Sequence, residues 1–238
     1  MIIFDVDGTI IPGTSCERLF VRYLRKTGVL GFTNLINHLI RAVSLGPLGG
    51  YHAVKANKGY LRGFSAPKMS EMGRDFFREI AAPRISRTAI NRIDKHLRDN
   101  ERLILFSGMP DFLLVNFAEY LQVPEHYGSI MEIEDGRFTG RTLGPFPLGR
   151  GKVDALQMVL NGFWGSRGFE ETSVFSAVPQ SGQIPERLPI DWTAITYYAD
   201  HWTDRYLLSK VGSPLVVNGQ PRLLSLARAK RWPTEEWK

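Results

Sequence analysis

The most informative stretch for the fold is Phe4-Asp5-Val6-Asp7-Gly8-Thr9, which begins with the last residue of the apolar run at the start of the chain. The run 1–4 has the length of a strand, and the period of two along a strand places Asp5 and Asp7 on the same side at its end. Two carboxylates this close repel each other in a partly desolvated site. The pair therefore indicates a bound cation, a split between the two pKa values, or both.

The two residues after this pair fit the same interpretation. Gly8 allows the backbone to turn sharply and to approach a ligand closely, and the Thr9 hydroxyl is suited to orient a carboxylate. Asp-Gly between apolar residues is also typical of a hairpin turn, which is the alternative for this stretch alone. The alternative loses weight because two further runs end in a similar way.

The second apolar run covers 102–106 and ends in Ser107 and Gly108. A small hydroxyl and a glycine at a strand end offer a side-chain donor and a backbone N–H, which suit a phosphate oxygen. The third run, 193–198, ends in Ala199 and Asp200, with Asp204 four residues later. A helix that begins near residue 203 places Asp204 in its first turn, close to Asp200.

A cation joins this set from another helix. GRGK at 149–152 opens a helix that is predicted to run to about residue 160. A lysine in the first turn opposes the helix macrodipole, so Lys152 is expected to face a carboxylate or a phosphate.

These runs predict an α/β fold. Strands that alternate with helices favour a parallel sheet, in which ligands bind beyond the carboxyl ends of the strands. The polar strand ends and Lys152 are therefore expected to converge. Residues 129–141 are expected to form a hairpin with Asp135-Gly136 as its turn. The segment 162–190 is expected to be a long loop, and 231–238 a surface tail.

The segment between the first two strands is predicted to be a separate helical domain. Apolar residues recur there at spacings of three and four, which predicts four or five helices and no strand. We place this cap domain at 15–98 and the core at 1–14 and 99–238. The cap carries 16 basic and 5 acidic residues, a net charge of +11, whereas the whole chain has +6. A basic cap beside an acidic core favours an anionic substrate, although a merely solvated basic face is the alternative.

Composition narrows the class of protein. The chain has 238 residues, 43% hydrophobic and 23% charged, which is typical of a soluble globular protein. Its single cysteine excludes an internal disulfide, so a cytoplasmic location is the expectation. No apolar run reaches the roughly 18 to 20 residues of a membrane helix, and the nearest, 29–45, is interrupted by polar residues. No integral membrane segment is therefore expected.

The motifs together resemble a known family. FDVDGT at 4–9, LILFSG at 103–108, GRGK at 149–152 and YYADHWTD at 197–204 are similar to the four motifs of the haloacid dehalogenase superfamily. A helical cap inserted after the first motif resembles its subfamily IB, the phosphoserine phosphatase-like hydrolases. The resemblance implies a Rossmann-like three-layer core with a parallel sheet and an inserted all-helical C1-type cap. It also implies a phosphatase acting on a small phosphorylated metabolite.

The resemblance assigns chemical roles at the first motif. It implies that Asp5 is the nucleophile, which forms an aspartyl-phosphate, and that Asp7 is the general acid and base. It further implies that Mg²⁺ is held by Asp5, by the backbone carbonyl of Asp7 and by Asp200. An aspartate at the second position favours phosphatase over dehalogenase chemistry.

The other motifs receive binding roles. Lys152 is implied to neutralise charge on the nucleophile and the transferring group. Ser107 and the N–H groups of Gly8 and Gly108 are implied to hold the phosphate oxygens. Asp204 is implied to orient Lys152 or a metal-bound water.

Three features depart from the family pattern. Relatives have a small residue after the aspartate of the fourth motif, whereas this chain has His201 and Trp202, which are expected to narrow the site or to weaken metal binding. NGQP at 218–221 replaces the usual NPDP. Phosphoserine phosphatases carry a glutamate in the first cap linker, but Thr14 stands near that position and Glu17 comes slightly late, so serine phosphate is not the expected substrate.

Three functions follow in order of preference. The first is a Mg²⁺-dependent phosphatase for a small phosphate monoester. The second is a catalytically inactive protein of the same fold that binds a phosphate ligand or serves as a scaffold. The third, a binder of nucleic acid or anionic membranes through the basic cap, has no ordered motif to support it, so a nucleic-acid partner is not expected. The oligomeric state does not follow from the sequence.

Overall fold

Seven strands form one sheet in a computed structural model of the protein, which describes residues 1–31, 58–162 and 189–237. In chain order, the strands are β1 (Ile2–Phe4), β2 (Leu103–Pro110), β3 (Glu125–Glu134), β4 (Arg137–Leu143), β5 (Thr196–Ala199), β6 (Ser213–Val217) and β7 (Thr234–Glu235). They lie in the order β4-β3-β2-β1-β5-β6-β7, and only the β3–β4 pair is antiparallel. The predicted α/β class with a mostly parallel sheet is confirmed.

Helices cover both faces of the sheet. Among the described residues, the α-helices are α1 (Cys16–Lys26), α2 (Ala66–Phe76), α3 (Arg87–Arg98), α4 (Asp111–Tyr120), α5 (Arg150–Leu160), α6 (Arg205–Leu208) and α7 (Pro221–Lys230). Two apolar clusters separate along β1: Ile2 and Phe4 pack in one, and Ile3 packs in the other. This alternation is the period of two that a sheet buried on both faces requires.

The central strand β1 lies between β2 and β5, and it positions the first motif. Its three residues are 0 to 3% exposed, and it pairs in parallel with both neighbours. The chain leaves β1 for β2 on one side and returns to β5 on the other. The carboxyl end of β1 is therefore a topological switch point, where parallel sheets bind ligands.

The predicted hairpin is confirmed as β3 and β4. Asp135 and Gly136 between them both have positive φ, 49° and 72°, as a two-residue primed turn requires. The hairpin also contacts the segment that leads into α2. The N–H of Gly63 donates to the carbonyl of Phe138, and the N–H of Phe138 donates to the carbonyl of Phe64. Backbone hydrogen bonds thus join the cap region to the core.

The described part of the cap region contains the α-helices α1, α2 and α3. The proposed domain boundary at residue 98 stays a prediction. Helix α3, which precedes that boundary, contacts the sheet. His96 of α3 lies 2.9 Å from the hydroxyl of Tyr198 in β5, and Arg92 donates to both carboxylate oxygens of Glu235. The apolar run 29–45 and the predicted loop at 162–190 fall largely on 32–57 and 163–188, outside the described residues.

The C-terminal segment corrects one expectation. Residues 231–238 were expected to form a surface tail, but Thr234–Glu235 pairs with β6 as strand β7, and Trp237 is 2% exposed. The Trp237 ring packs 5.6 Å from the ring of Tyr198 and 6.3 Å from that of Phe4. Burial of a large aromatic side chain explains why this short segment is ordered.

In the ranges that the structure covers, we find no helix with both the length and the apolar character needed to cross a membrane.

Candidate active site

Asp5, Lys152 and Asp204 form a buried charged cluster beyond the carboxyl end of β1. The Lys152 ammonium donates to Asp5 Oδ1 and to Asp204 Oδ1, each at 2.7 Å. The three residues are 3 to 6% exposed. Lys152 reaches the cluster from the first turn of α5, although its charge opposes the helix macrodipole there. Two carboxylates compensate for that unfavourable position.

Asp200 follows β5 and brings a third carboxylate to the same place. One oxygen of each of Asp5, Asp200 and Asp204 lies within 4.8 Å of the other two. Among the described residues, Asp200 Oδ1 is buried and has no hydrogen-bond partner. A buried carboxylate oxygen without a partner is costly unless a cation supplies the missing interaction.

Gly8 allows this close approach. A Cβ atom at Gly8 would lie 2.1 Å from Asp200 Oδ2, and its φ of +82° is in the left-handed region. Any side chain here would therefore displace the Asp200 carboxylate as well as strain the backbone. The Asn218 amide, which donates to the Gly8 carbonyl at 3.1 Å, holds this turn in place.

The electrostatics of the cluster favour an added cation. Burial raises the pKa of Asp5 from 3.8 to about 7, against the opposing charge of Lys152. Burial and the charges of Asp5, Asp204 and Asp7 hold the pKa of Asp200 well above its usual range. Burial alone would lower the pKa of Lys152, but the charges of Asp204 and Asp5 outweigh it and raise that pKa, so the lysine stays protonated. One lysine therefore does not balance the three carboxylates.

The Asp7 carboxylate lies apart from this cluster and faces the start of α1. Its Oδ2 accepts from the Ser15 hydroxyl at 2.8 Å, and its Oδ1 accepts from the N–H of Cys16 at 2.9 Å. Asp7 still lines the same cleft as Asp5. The three carboxylates that come together are thus those of Asp5, Asp200 and Asp204.

The predicted phosphate-binding residues lie at the same cleft, with one difference. Ser107 and Gly108 line it from the second half of β2, which continues to Pro110; Ser107 is 1% exposed, and its hydroxyl accepts from the N–H of Met109. The N–H of Gly8 already donates to the carbonyl of Ile11 at 2.8 Å. The prediction that this N–H serves as a free phosphate donor is therefore not matched by the structure.

Thr9 corrects another expectation. Its hydroxyl was expected to orient a carboxylate, but in the described part of the chain this buried oxygen has no hydrogen-bond partner. The residue is 0% exposed and packs within the turn that follows Asp7. The Asp7 carboxylate is instead contacted by the hydroxyl of Ser15, eight residues after Asp7.

The bulky residues after Asp200 do not all enter the cleft. Among the residues described, the cleft of about 390 Å³ is lined by His201 and Thr203 but not by Trp202. The centre of the Trp202 ring lies close to two guanidinium groups, 4.4 Å from that of Arg205 and 3.9 Å from that of Arg222. Trp202 therefore does not narrow the site, whereas His201 does line it.

Sequence reasoning missed two residues that support the site. The Tyr197 hydroxyl donates to Asp204 Oδ1 at 2.8 Å from the strand that ends at Asp200. The period of two in β5 could have indicated its direction, because residues 197 and 199 share a face. Asn218 gave no such signal, since its contact with Gly8 spans 210 residues of sequence.

The donor set of the cluster fits Mg²⁺. Three carboxylates with oxygens within 4.8 Å of one another provide the hard oxygen ligands that this ion prefers, and among the described residues one oxygen of Asp200 is buried without a hydrogen-bond partner. Asp5, Asp200 and Asp204 are the side chains that the structure brings within reach of one ion. The backbone carbonyl of Asp7 remains a predicted ligand.

Comparisons with known proteins agree with this fold. The family model described as haloacid dehalogenase-like hydrolase matches residues 2–209. The chain is 24% identical over 241 residues to a Mycobacterium tuberculosis protein named phosphoserine phosphatase SerB1, covering 99% of this chain and 70% of that one. It is 25% identical over 240 residues to a Neisseria meningitidis protein named histidinol-phosphatase, covering 99% and 98%.

Solved structures share the architecture. A Bordetella pertussis protein of unknown function matches with a TM-score of 0.76 and 22% identity, covering 99% of this chain and 97% of that one. A phosphoserine phosphatase, solved as an analogue of its phospho-aspartyl intermediate, matches with a TM-score of 0.56 and 15% identity, covering 100% and 92%. At these identities the likeness concerns the fold.

Proposed function

Because the chain belongs to the haloacid dehalogenase-like hydrolase family, and two of its relatives are named as phosphatases, we propose that it is a Mg²⁺-dependent phosphatase that uses Asp5 as its nucleophile. The proposed substrate is a small phosphate monoester. One observation carries the proposal: at the switch point of the sheet, three carboxylates approach within 4.8 Å while a single lysine compensates them.

In the first step, an Asp5 oxygen attacks the phosphorus atom, and the bond from phosphorus to the leaving oxygen breaks. The product is an aspartyl-phosphate on Asp5. Lys152 holds Asp5 Oδ1 at 2.7 Å, which favours the ionised carboxylate against the effect of burial and fixes its orientation. Tyr197 and Asp204 keep Lys152 in place, because the Tyr197 hydroxyl and the ammonium share Asp204 Oδ1.

Asp7 is proposed to give its proton to the leaving oxygen, and then to take a proton from the water that cleaves the aspartyl-phosphate. Ser15 suits both stages. A hydroxyl both donates and accepts, so it can remain hydrogen-bonded to Asp7 Oδ2 whether the carboxyl is ionised or protonated. Phosphate release then restores Asp5. In the overall reaction, the phosphate monoester and one water are converted to the alcohol and inorganic phosphate.

Mg²⁺, when bound by Asp5, Asp200 and the carbonyl of Asp7, supplies positive charge that offsets the repulsion between the attacking carboxylate and the phosphate. Ser107 and Gly108 are proposed to receive the remaining phosphate oxygens from β2.

The test is hydrolysis of an aryl phosphate with and without Mg²⁺. Wild-type protein is expected to turn over in Mg²⁺, and Asp5→Asn is expected to lose activity by at least about 10³-fold, because the amide oxygen is a poor nucleophile. Asp94→Asn, which changes an exposed aspartate on α3 in the same way, is the control and is expected to keep full activity. Undiminished turnover in Asp5→Asn would exclude the mechanism.

The second candidate, an inactive protein of the same fold, predicts a different result. It requires that wild-type protein binds a phosphate analogue but hydrolyses none of a broad panel of phosphate esters. This alternative is motivated by His201, Trp202 and the segment 162–190; of the two side chains, Trp202 lies outside the lining of the cleft, whereas His201 lines it.

A further inference from the structure

The wall of the cleft also contains an acidic residue that takes no part in the proposed chemistry. This residue is already paired. Glu17 of α1 lines the cleft. Its Oε2 lies 2.5 Å from the Lys58 ammonium, and its Oε1 accepts from the Tyr60 hydroxyl at 3.0 Å. Both oxygens of this carboxylate therefore have partners from a segment 41 to 43 residues further along the chain.

Lys58 is fixed in place by its surroundings. Its side chain is 0% exposed, and its ammonium also lies 3.4 Å from the carbonyl of Gly108 in β2. The centre of the Phe146 ring is 5.4 Å from the same nitrogen. A buried ammonium keeps its charge only with such partners, and moving it away from Glu17 would leave two buried charges uncompensated. The pair is therefore a permanent part of the wall.

The pairing with Lys58 changes what charge Glu17 presents to the cleft. A carboxylate beside an open cleft ordinarily attracts a cationic group, but here the buried ammonium of Lys58 neutralises the charge of Glu17. An ammonium on the leaving group would have to share Glu17 with a buried lysine, and the two cations would repel each other. The wall at Glu17 thus offers no net negative charge to a ligand.

The next residue gives the wall a positive charge. Arg18 is exposed and lines the same cleft. Among the residues that the structure describes, none forms a hydrogen bond or ion pair with its guanidinium group. A guanidinium group in this position is suited to a carboxylate or a second phosphate, with which it can form paired hydrogen bonds.

We infer that Arg18, beside a Glu17 carboxylate that Lys58 neutralises, selects phosphate monoesters whose leaving group carries an anion close to the ester and disfavours those whose leaving group carries an ammonium. As a statement about substrates, the inference rests on the proposed phosphatase function. It concerns binding, however, so it can be tested independently of turnover.

The experiment measures binding of uncleaved ligands to Asp5→Asn protein with Mg²⁺ by calorimetry. Phosphoglycolate and phosphoethanolamine both have two carbons and differ in the charge at the end of the leaving group. We expect phosphoglycolate to bind at least about tenfold more tightly, the size of effect that one close charge pair gives. Equal affinities, tighter binding of phosphoethanolamine, or no detectable binding of either ligand would overturn the inference.

Variants in the same background locate the effect. Arg18→Gln is expected to remove most of the preference, whereas Arg22→Gln, which removes an exposed charge one helical turn away on α1, is expected to retain it. Lys58→Met leaves Glu17 uncompensated and is expected to shift the preference toward phosphoethanolamine.

The double variant Glu17→Gln/Lys58→Met removes both charges and leaves the net charge of the wall unchanged. It is expected to restore the preference for phosphoglycolate, and it also serves if Lys58→Met alone does not fold. Loss of the preference in the folded double variant would overturn the inference. Aryl phosphate hydrolysis by wild-type protein separately decides the proposed function, so the two can fail independently.

Discussion

Two buried lysines beside the same cleft differ in the charge that surrounds them. Lys152 lies in the core among Asp5, Asp204 and the nearby Asp200, so its site has an excess of negative charge. Lys58 lies in the cap region against one carboxylate, that of Glu17, and its site is balanced. Burial of a lysine therefore does not by itself indicate a catalytic role. The unbalanced cluster requires a further cation, whereas the balanced pair can serve as a fixed wall.

The largest difference is expected when each lysine is replaced by methionine. Lys152→Met leaves the Asp5 carboxylate without its hydrogen-bond donor and is expected to lower kcat for an aryl phosphate by about 10² to 10³-fold, as removal of a transition-state charge partner does. Lys58→Met is expected to lower kcat by less than about tenfold. It should instead lower the free energy of unfolding by about 3–5 kcal/mol, because a buried charge loses its partner.

Steady-state kinetics and denaturant unfolding of both variants check this contrast. Lys95→Met, which changes an exposed lysine on α3, is the control and is expected to alter neither quantity. Equal losses of kcat in the two buried variants would contradict the distinction between a catalytic and a structural lysine.

The excess of negative charge also predicts how Mg²⁺ affects thermal stability at different pH. The pKa of Asp5 is raised from 3.8 to about 7 by burial, so without metal the folded protein binds this proton more tightly than the unfolded chain does. The resulting stabilisation is fully present below about pH 4 and is lost as pH rises from about 4 to about 7. Asp200 acts in the same direction.

Because Mg²⁺ competes with these protons, its stabilising effect is expected to be larger at pH 8 than at pH 5. A hundredfold excess over Kd stabilises by about 2.7 kcal/mol, which corresponds to a rise in Tm of about 5–10 °C for a chain of this size. We expect that rise at pH 8 and less than half of it at pH 5. Asp200→Asn should reduce the rise at pH 8, and an equal rise at both pH values in wild-type protein would count against a carboxylate metal site.

The smallest expected effect concerns Thr9, which has none of the charges of either lysine site. Its hydroxyl is buried without a partner among the described residues, so Thr9→Val is expected to leave the free energy of unfolding unchanged or to raise it by up to about 1 kcal/mol. Thr203→Val is the control. The Thr203 hydroxyl lies 2.8 Å from His201 Nδ1, and its loss should cost about 1 kcal/mol. Equal destabilisation by the two substitutions, measured by urea unfolding, would argue that Thr9 does have a partner.

Much of the site could be anticipated because it depends on strand ends. Asp5, Ser107 and Asp200 each follow an apolar run, and the rules for parallel sheets bring such positions to one edge. The same rules say nothing about where a side chain points after the strand has ended. Asp7 therefore shares a segment with Asp5 but faces Ser15 and the N-terminus of α1, away from the three clustered carboxylates.

The errors share one cause. Residues 231–238 were expected to form a surface tail, yet Trp237 packs on Tyr198 and Phe4, and Glu235 pairs with Arg92. Such contacts join residues far apart in sequence, and local pattern carries no information about them.

The sequence by itself determined the α/β class, the order of the motifs and the identity of Asp5, Lys152, Asp200 and Asp204 as candidates. These follow from periodicity and from the chemistry of each side chain, both of which are local. Which of these groups are paired is set by the tertiary structure alone: among the described residues Asp200 Oδ1 has no hydrogen-bond partner, Asp204 accepts from Lys152 and Tyr197, and Lys58 neutralises Glu17. The physical reason is that charge balance in a buried site depends on distances between separate elements, and folding alone fixes those distances.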